Sequence, residues 1–146
     1  MYRVINEKLI NEIYQNVRMA IWAIDCINEY IKNEKFSNLV KKQDIIYQRI
    51  ETKCEEIANK LNIELKDINP MLKGMSWMKI KLDNIINDDD DKIAEKLIQG
   101  TTMGVTQIIT AVDSHKEGDK EIVDLGNNLR KIEEEFIESL KVYLVK

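Results

Sequence analysis

One histidine, His115, and two cysteines, Cys26 and Cys54, limit the chemistry open to this chain. If consecutive helices alternate in direction, His115 falls at the same end as Glu12, Cys54, Glu55, Glu121 and Asp124. Those six side chains are the candidate donors for a mixed metal site. The plainer reading of a lone histidine near a helix C-terminus is a solvent-exposed partner for the helix dipole. No Glu-x-x-His, nucleophile–base pair or phosphate-cradling glycine loop occurs. Glu51-Thr-Lys-Cys54 and Glu121-Ile-Val-Asp124 keep only a leading carboxylate. The residues therefore assign no catalytic group and call for no cofactor.

Three further features carry a functional and a structural reading side by side. Asp88-Asp89-Asp90-Asp91 is read as the cap of a helix with the remainder solvated, since the run lacks the alternating ligands and glycine of a calcium loop. Gly100 and Gly104, flanked by Thr101, Thr102 and Thr106, lie within a helical stretch, where each glycine costs about 1 kcal/mol relative to alanine. Close backbone approach offsets such a cost, either inside the bundle or at a self-association face; a ligand pocket lined by Gln99 and methionines is the third reading. Met71, Met75 and Met78, with Trp77, recur at helical spacing and serve as core or as an adaptable partner groove.

The elements that must position these residues are helices. One proline and five glycines leave little material for β-turns. Ile10, Ile13, Val17, Ala20, Ile24, Ile27 and Ile31 alternate spacings of three and four, which predicts a helix over 4–32. A second is expected over 36–61, with Phe36, Val40, Gln43, Tyr47, Ile50, Cys54, Ile57 and Leu61 on its seam. Gln43 and Tyr47 interrupt that seam and need hydrogen-bond partners if buried. Asn69-Pro70 opens a short helix over 70–87. Two more are expected over 91–115 and 119–145, the last with Ile122, Leu125, Leu129, Ile132, Phe136, Leu140 and Tyr143 inward. The whole chain, 1–146, reads as one all-α domain.

Short connections set the four long helices up, down, down, up, with the short helix as the crossover. That order resembles the ferritin-like four-helix bundle. The stretch Ile93-Ala94-Glu95-Lys96-Leu97-Ile98-Gln99-Gly100-Thr101-Thr102-Met103-Gly104, preceded by Met75-Ser76-Trp77-Met78, is similar to segments of uncharacterised bacterial members of that class. The resemblance implies a bundle without the usual di-iron ligands, and no metal-binding residue carries over.

The expected function is non-enzymatic, through self-association or a protein partner; a divergent metal-binding or redox protein is the competing reading. A homodimer built on Met71, Met75, Trp77 and Met78, extended by Gly100, Thr101 and Gly104, is the expected assembly. The net charge of −4 and scattered basic residues exclude nucleic acid as a partner. No membrane partner is expected, because the weakly polar stretch Thr101 to Val112 falls short of the roughly 20 residues of a span. A charged amphipathic start in place of a leader segment predicts a cytoplasmic protein. Frequent isoleucine, lysine and asparagine fit an AT-rich bacterial genome. Cys26 and Cys54, about 18 Å apart along a helical hairpin, are expected as reduced thiols.

Overall fold

A computed structural model of the chain describes residues 2–68 and 88–145. Four helices make up most of them: α1 (Tyr2–Ile27), α2 (Glu34–Lys60), α3 (Asp90–Ser114) and α4 (Lys120–Leu140). Short 3-10 turns follow α1 at Asn28–Tyr30 and α4 at Lys141–Leu144, and no strand occurs among the described residues. The helix expected over 70–87, with Met71, Met75, Trp77 and Met78, lies outside the described residues.

The apolar seams form one shared core. Ile10, Ile13, Val17, Ile24 and Ile27 of α1 pack with Phe36, Val40, Ile50 and Ile57 of α2, Ile93 and Ile108 of α3, and Ile122, Leu129 and Leu140 of α4. Each such side chain removed from water contributes about 1.5–3 kcal/mol. Along α1, α2 and α3 run as neighbours, and α4 packs chiefly on α3 and also on α1 and α2.

Side-chain bonds fix the register between helices. Arg3 Nη2 donates to the Asn62 carbonyl at 2.8 Å, and Arg18 pairs with Glu51 at 2.7 Å. Asn16 Nδ2 donates to the Gly104 carbonyl at 3.0 Å. The Asp119 amide donates to Asn6 Oδ1 at 2.7 Å, tying the start of α1 to the turn between α3 and α4. Lys60 Nζ reaches Glu121 at 2.6 Å, so the end of α2 meets the start of α4.

Helix ends differ from the sequence-based bounds for identifiable reasons. α1 was expected to reach residue 32 but closes at Ile27, because the Lys32 and Asn33 amides donate to the Asp90 carboxylate at 2.9 and 2.8 Å. Asn33 then caps α2 by accepting from the Phe36 amide, which moves the start of that helix to Glu34. α4 stops at Leu140 rather than 145, and Tyr143 stacks on Phe36 with ring centroids 4.6 Å apart. At the other end of α2 the chain reverses through Asn62, whose φ of 56° lies in the left-handed region that asparagine tolerates. Residues 63–68 then run along α1, where Asn11 Oδ1 accepts from the Lys66 amide at 2.7 Å.

Candidate functional site

At mid-bundle the apolar seams give way to a polar centre to which every helix contributes. Asn16 comes from α1, Gln43 and Tyr47 from α2, Thr101 and Gly104 from α3, and Glu133 from α4. Asn16, Gln43, Tyr47, Thr101 and Glu133 are each more than nine-tenths buried, and Glu133 is only 1% exposed.

Glu133 is the organising group. Leu129 stands four residues before it and Phe136 three after, so the helical repeat aims its side chain into the core. The Tyr47 hydroxyl donates to Glu133 Oε2 at 3.2 Å. Gly104 makes room for the carboxyl: a Cβ on that glycine would lie 2.8 Å from Oε2. The Gly104 carbonyl meanwhile accepts from Asn16, so the same glycine joins α1, α3 and α4. Asn16 Oδ1, Gln43 Nε2 and Glu133 Oε1 have no hydrogen-bond partner among the described residues. Burial pushes the Glu133 carboxyl up to about 8, and Tyr47 only partly offsets this by bonding the charged form. The Tyr47 hydroxyl is itself raised well above 10.0, first by burial and then by Glu133 beside it. At neutral pH the centre is therefore mostly an uncharged acid, phenol and amide cluster.

Gln43 and Tyr47 were recognisable as seam interruptions, and Tyr47 finds its partner in Glu133. The sequence reading missed Glu133, Asn16 and Gly126. Glu133 sits inside the run Arg130-Lys131-Ile132-Glu133-Glu134-Glu135, which reads as a solvated surface. The available signal was its register with Leu125, Leu129, Phe136 and Leu140, all of which are buried. Ile132, which its hydropathy places on the seam, is only partly buried. Gly126 marks another close helix approach: a Cβ there would lie 2.7 Å from Val112 Cγ2 and 3.4 Å from Ile13 Cδ1.

The six candidate metal donors are not brought together. His115 Nδ1 lies 3.8 Å from Glu12 Oε2 and 2.8 Å from the Ala111 carbonyl, at one end of a groove of about 380 Å³ between α1 and α3. Glu121 is held by Lys60, and Asp124 pairs with Lys120 at 2.8 Å. Cys54 is fully buried, and burial followed by the Glu55 and Glu51 charges pushes its thiol up to about 12. Glu55 is exposed on α2. Among the described residues no group of three or more His, Cys, Asp and Glu side chains could hold a metal ion. Cys26 and Cys54 are not joined in a disulfide.

The aspartate run serves as connection more than as cap. Asp89 occupies the position before α3 but accepts no capping hydrogen bond through its side chain. Asp90 instead binds the backbone amides that end α1, and Asp88 pairs with Lys96. Thr101 is buried and Gly104 faces Glu133, so neither presents its side-chain direction to solvent; Gly100 is half-buried.

The outward face of α3 has a different character. From Leu97 to Val112 the helix carries no charged residue. Gln99, Thr102, Met103, Thr106, Ile109 and Thr110 are exposed there, with Met103 at 46% and Ile109 at 39%. Thr106 and Thr110 donate their hydroxyls to the carbonyls of Thr102 and Thr106 at 3.0 and 3.1 Å. Both residues also line the groove against α1. No helix among the described residues is long and apolar enough to cross a membrane. No protein-family model, curated protein or solved structure matches the chain.

Proposed function

We propose that the chain is a non-enzymatic helical bundle that works by self-association through the outer face of α3. The observation that carries this reading is the uncharged exposed stripe of Thr102, Met103, Thr106, Ile109 and Thr110. Elsewhere among the described residues the exposed helix faces carry charge, for example Lys41, Lys42 and Arg49 on α2 and Arg130, Lys131, Glu134 and Glu135 on α4, and the other exposed apolar side chains, such as Tyr2, Val4, Ile45 and Val142, lie at chain ends or singly. Copies of a chain with net charge −4 repel one another. A face with no charge is where two copies meet without setting like charges together, and a twofold axis is the commonest way to close such a contact.

The same reading places the helices in the ferritin-like up-down-down-up order. Support comes from the register: residues 3 and 18 of α1 meet 62 and 51, residues 6, 16 and 32 meet 119, 104 and 90, and residues 47 and 60 of α2 meet 133 and 121. In that order the outer face of α3 lies away from α2.

Light scattering over a micromolar concentration range tests the association. The expected mass is twice 17.1 kDa, falling to the single-chain value when Met103→Lys and Ile109→Lys are combined, with the helical circular dichroism retained. A mass of one chain at every concentration removes the proposal. A dimer that survives both substitutions moves the interface elsewhere.

A further inference from the structure

The polar centre supports an inference independent of self-association. We propose that the Tyr47–Glu133 pair is a proton-operated latch, holding α2, α3 and α4 closed while Glu133 carries its proton and loosening them when that proton leaves.

The groups that face Glu133 are neutral at ordinary pH. From α1 the nearby polar group is Asn16, which reaches the Gly104 carbonyl, from α2 Gln43 and Tyr47, and from α3 the Gly104 backbone. Tyr47 is the one titratable group among these, and none is a cation. On α4 itself Arg130, Lys131 and Glu134 are exposed, and Arg130 is paired with Glu134 at 2.8 Å. Ionisation breaks the O–H bond of the acid, passes the proton to solvent and leaves a full negative charge on the carboxyl. Oε2 then has the Tyr47 hydroxyl, while Oε1 has no partner among the described residues. An ion with one neutral hydrogen bond inside a packed core is a strained arrangement that relaxes by admitting water. Admitting water means parting α4 from α3 at Gly104, where the carboxyl already fills all the space a Cβ would need.

Burial places the transition at about 8, close enough to neutrality for a modest rise in pH to act. A residue held only for packing has no such response. An apolar side chain of similar volume would fill the site at lower cost, so the carboxyl adds a dependence that packing does not require.

The test is an amide NMR titration of the full chain from pH 6 to 9.5. The Tyr47, Gly104 and Glu133 signals are expected to move in one step near pH 8, and Glu133→Gln is expected to abolish the step. Above the step the same amides should exchange with solvent faster than base catalysis alone accounts for. Between pH 6 and 8 the unfolding equilibrium constant should rise about tenfold per pH unit in the native protein and stay flat in Glu133→Gln. A native protein without the step, a step that persists in Glu133→Gln, or no excess exchange above it overturns the latch. If Glu133→Gln yields no folded protein, Tyr47→Phe decides. Loss of the donor that favours the carboxylate should displace the step to higher pH, and an undisplaced step overturns the proposal.

Discussion

Protonation of a buried side chain is set by what surrounds it, and Glu133 and Cys54 illustrate this on facing helices. Neither has a cation beside it, and burial raises both, to about 8 and about 12. For Cys54 the consequence is chemical silence, since the thiolate is the reactive form. Cys26 is only half-buried. Iodoacetamide at pH 8 should therefore modify Cys26 in the folded protein and leave Cys54 at least about a hundredfold slower, with both reacting in denaturant. Mass spectrometry of the two peptides reads the ratio, and comparable rates in the folded protein contradict the burial assigned to Cys54. The burial of Cys54 was legible from sequence, because it stands on the α2 seam between Ile50 and Ile57. Glu133 was not. Hydropathy picks Ile132 as the inward residue of α4, whereas the geometry of Leu129 and Phe136 centres the buried face on Glu133. Hydropathy resists a buried carboxyl, and only Tyr47 and Gly104, distant in sequence, show why it is accommodated.

Helices meet most closely where glycines remove side chains, and the two that matter differ in what they approach. Gly104 of α3 admits a carboxyl, whereas Gly126 of α4 admits a methyl group of Val112 on α3. Alanine at either position gains about 1 kcal/mol of helix propensity. At 126 the new Cβ would lie 2.7 Å from Val112 Cγ2, a short β-branched side chain with little freedom to turn. Overpacking of this kind costs about 1–3 kcal/mol. Gly126→Ala should therefore leave a net loss of up to about 2 kcal/mol, measured by denaturant unfolding, and Val112→Ala in the same chain should restore part of it. A stabilised Gly126→Ala would show that α3 and α4 have room to spare. The helices themselves were readable, since largely apolar seams at spacings of three and four locate α1, α2 and α4. Their ends were less so. α1 stops at Ile27 because Asp90, far along the chain, takes the Lys32 and Asn33 amides, and local sequence carries no trace of that capture.

Stability of the whole molecule against pH follows from carboxyl groups shifted in opposite directions. Asp67 is lowered from 3.8: burial alone would raise it, but hydrogen bonds from Arg18 and the Ile68 amide outweigh that. A lowered acid contributes stability above its unfolded value that is lost as pH falls through its folded value. Asp44 is raised to about 6, by burial first and by Asp25 beside it next, and Glu133 is raised to about 8. A raised acid acts in the reverse sense. Its folded form holds the proton longer than its unfolded form, so stability is fully present below the unfolded value and is lost as pH rises through the folded one. For Asp44 that window runs from 3.8 to about 6, and for Glu133 from 4.5 to about 8. Most of the molecule's carboxylates are exposed and contribute little slope. The thermal midpoint should therefore be highest near pH 4 and should fall steadily to pH 8, flattening beyond it. The pairing of Arg18 with Asp67 limits the rise only at lower pH, where Asp67 takes its proton. Differential scanning calorimetry across pH 4–9 measures the profile. Asp44→Asn should remove slope below pH 6 while leaving the slope between 6 and 8 intact, and combining it with Glu133→Gln should flatten the decline. A midpoint that rises from pH 5 to pH 8 would contradict both burials and return the two carboxyls to ordinary solvated behaviour.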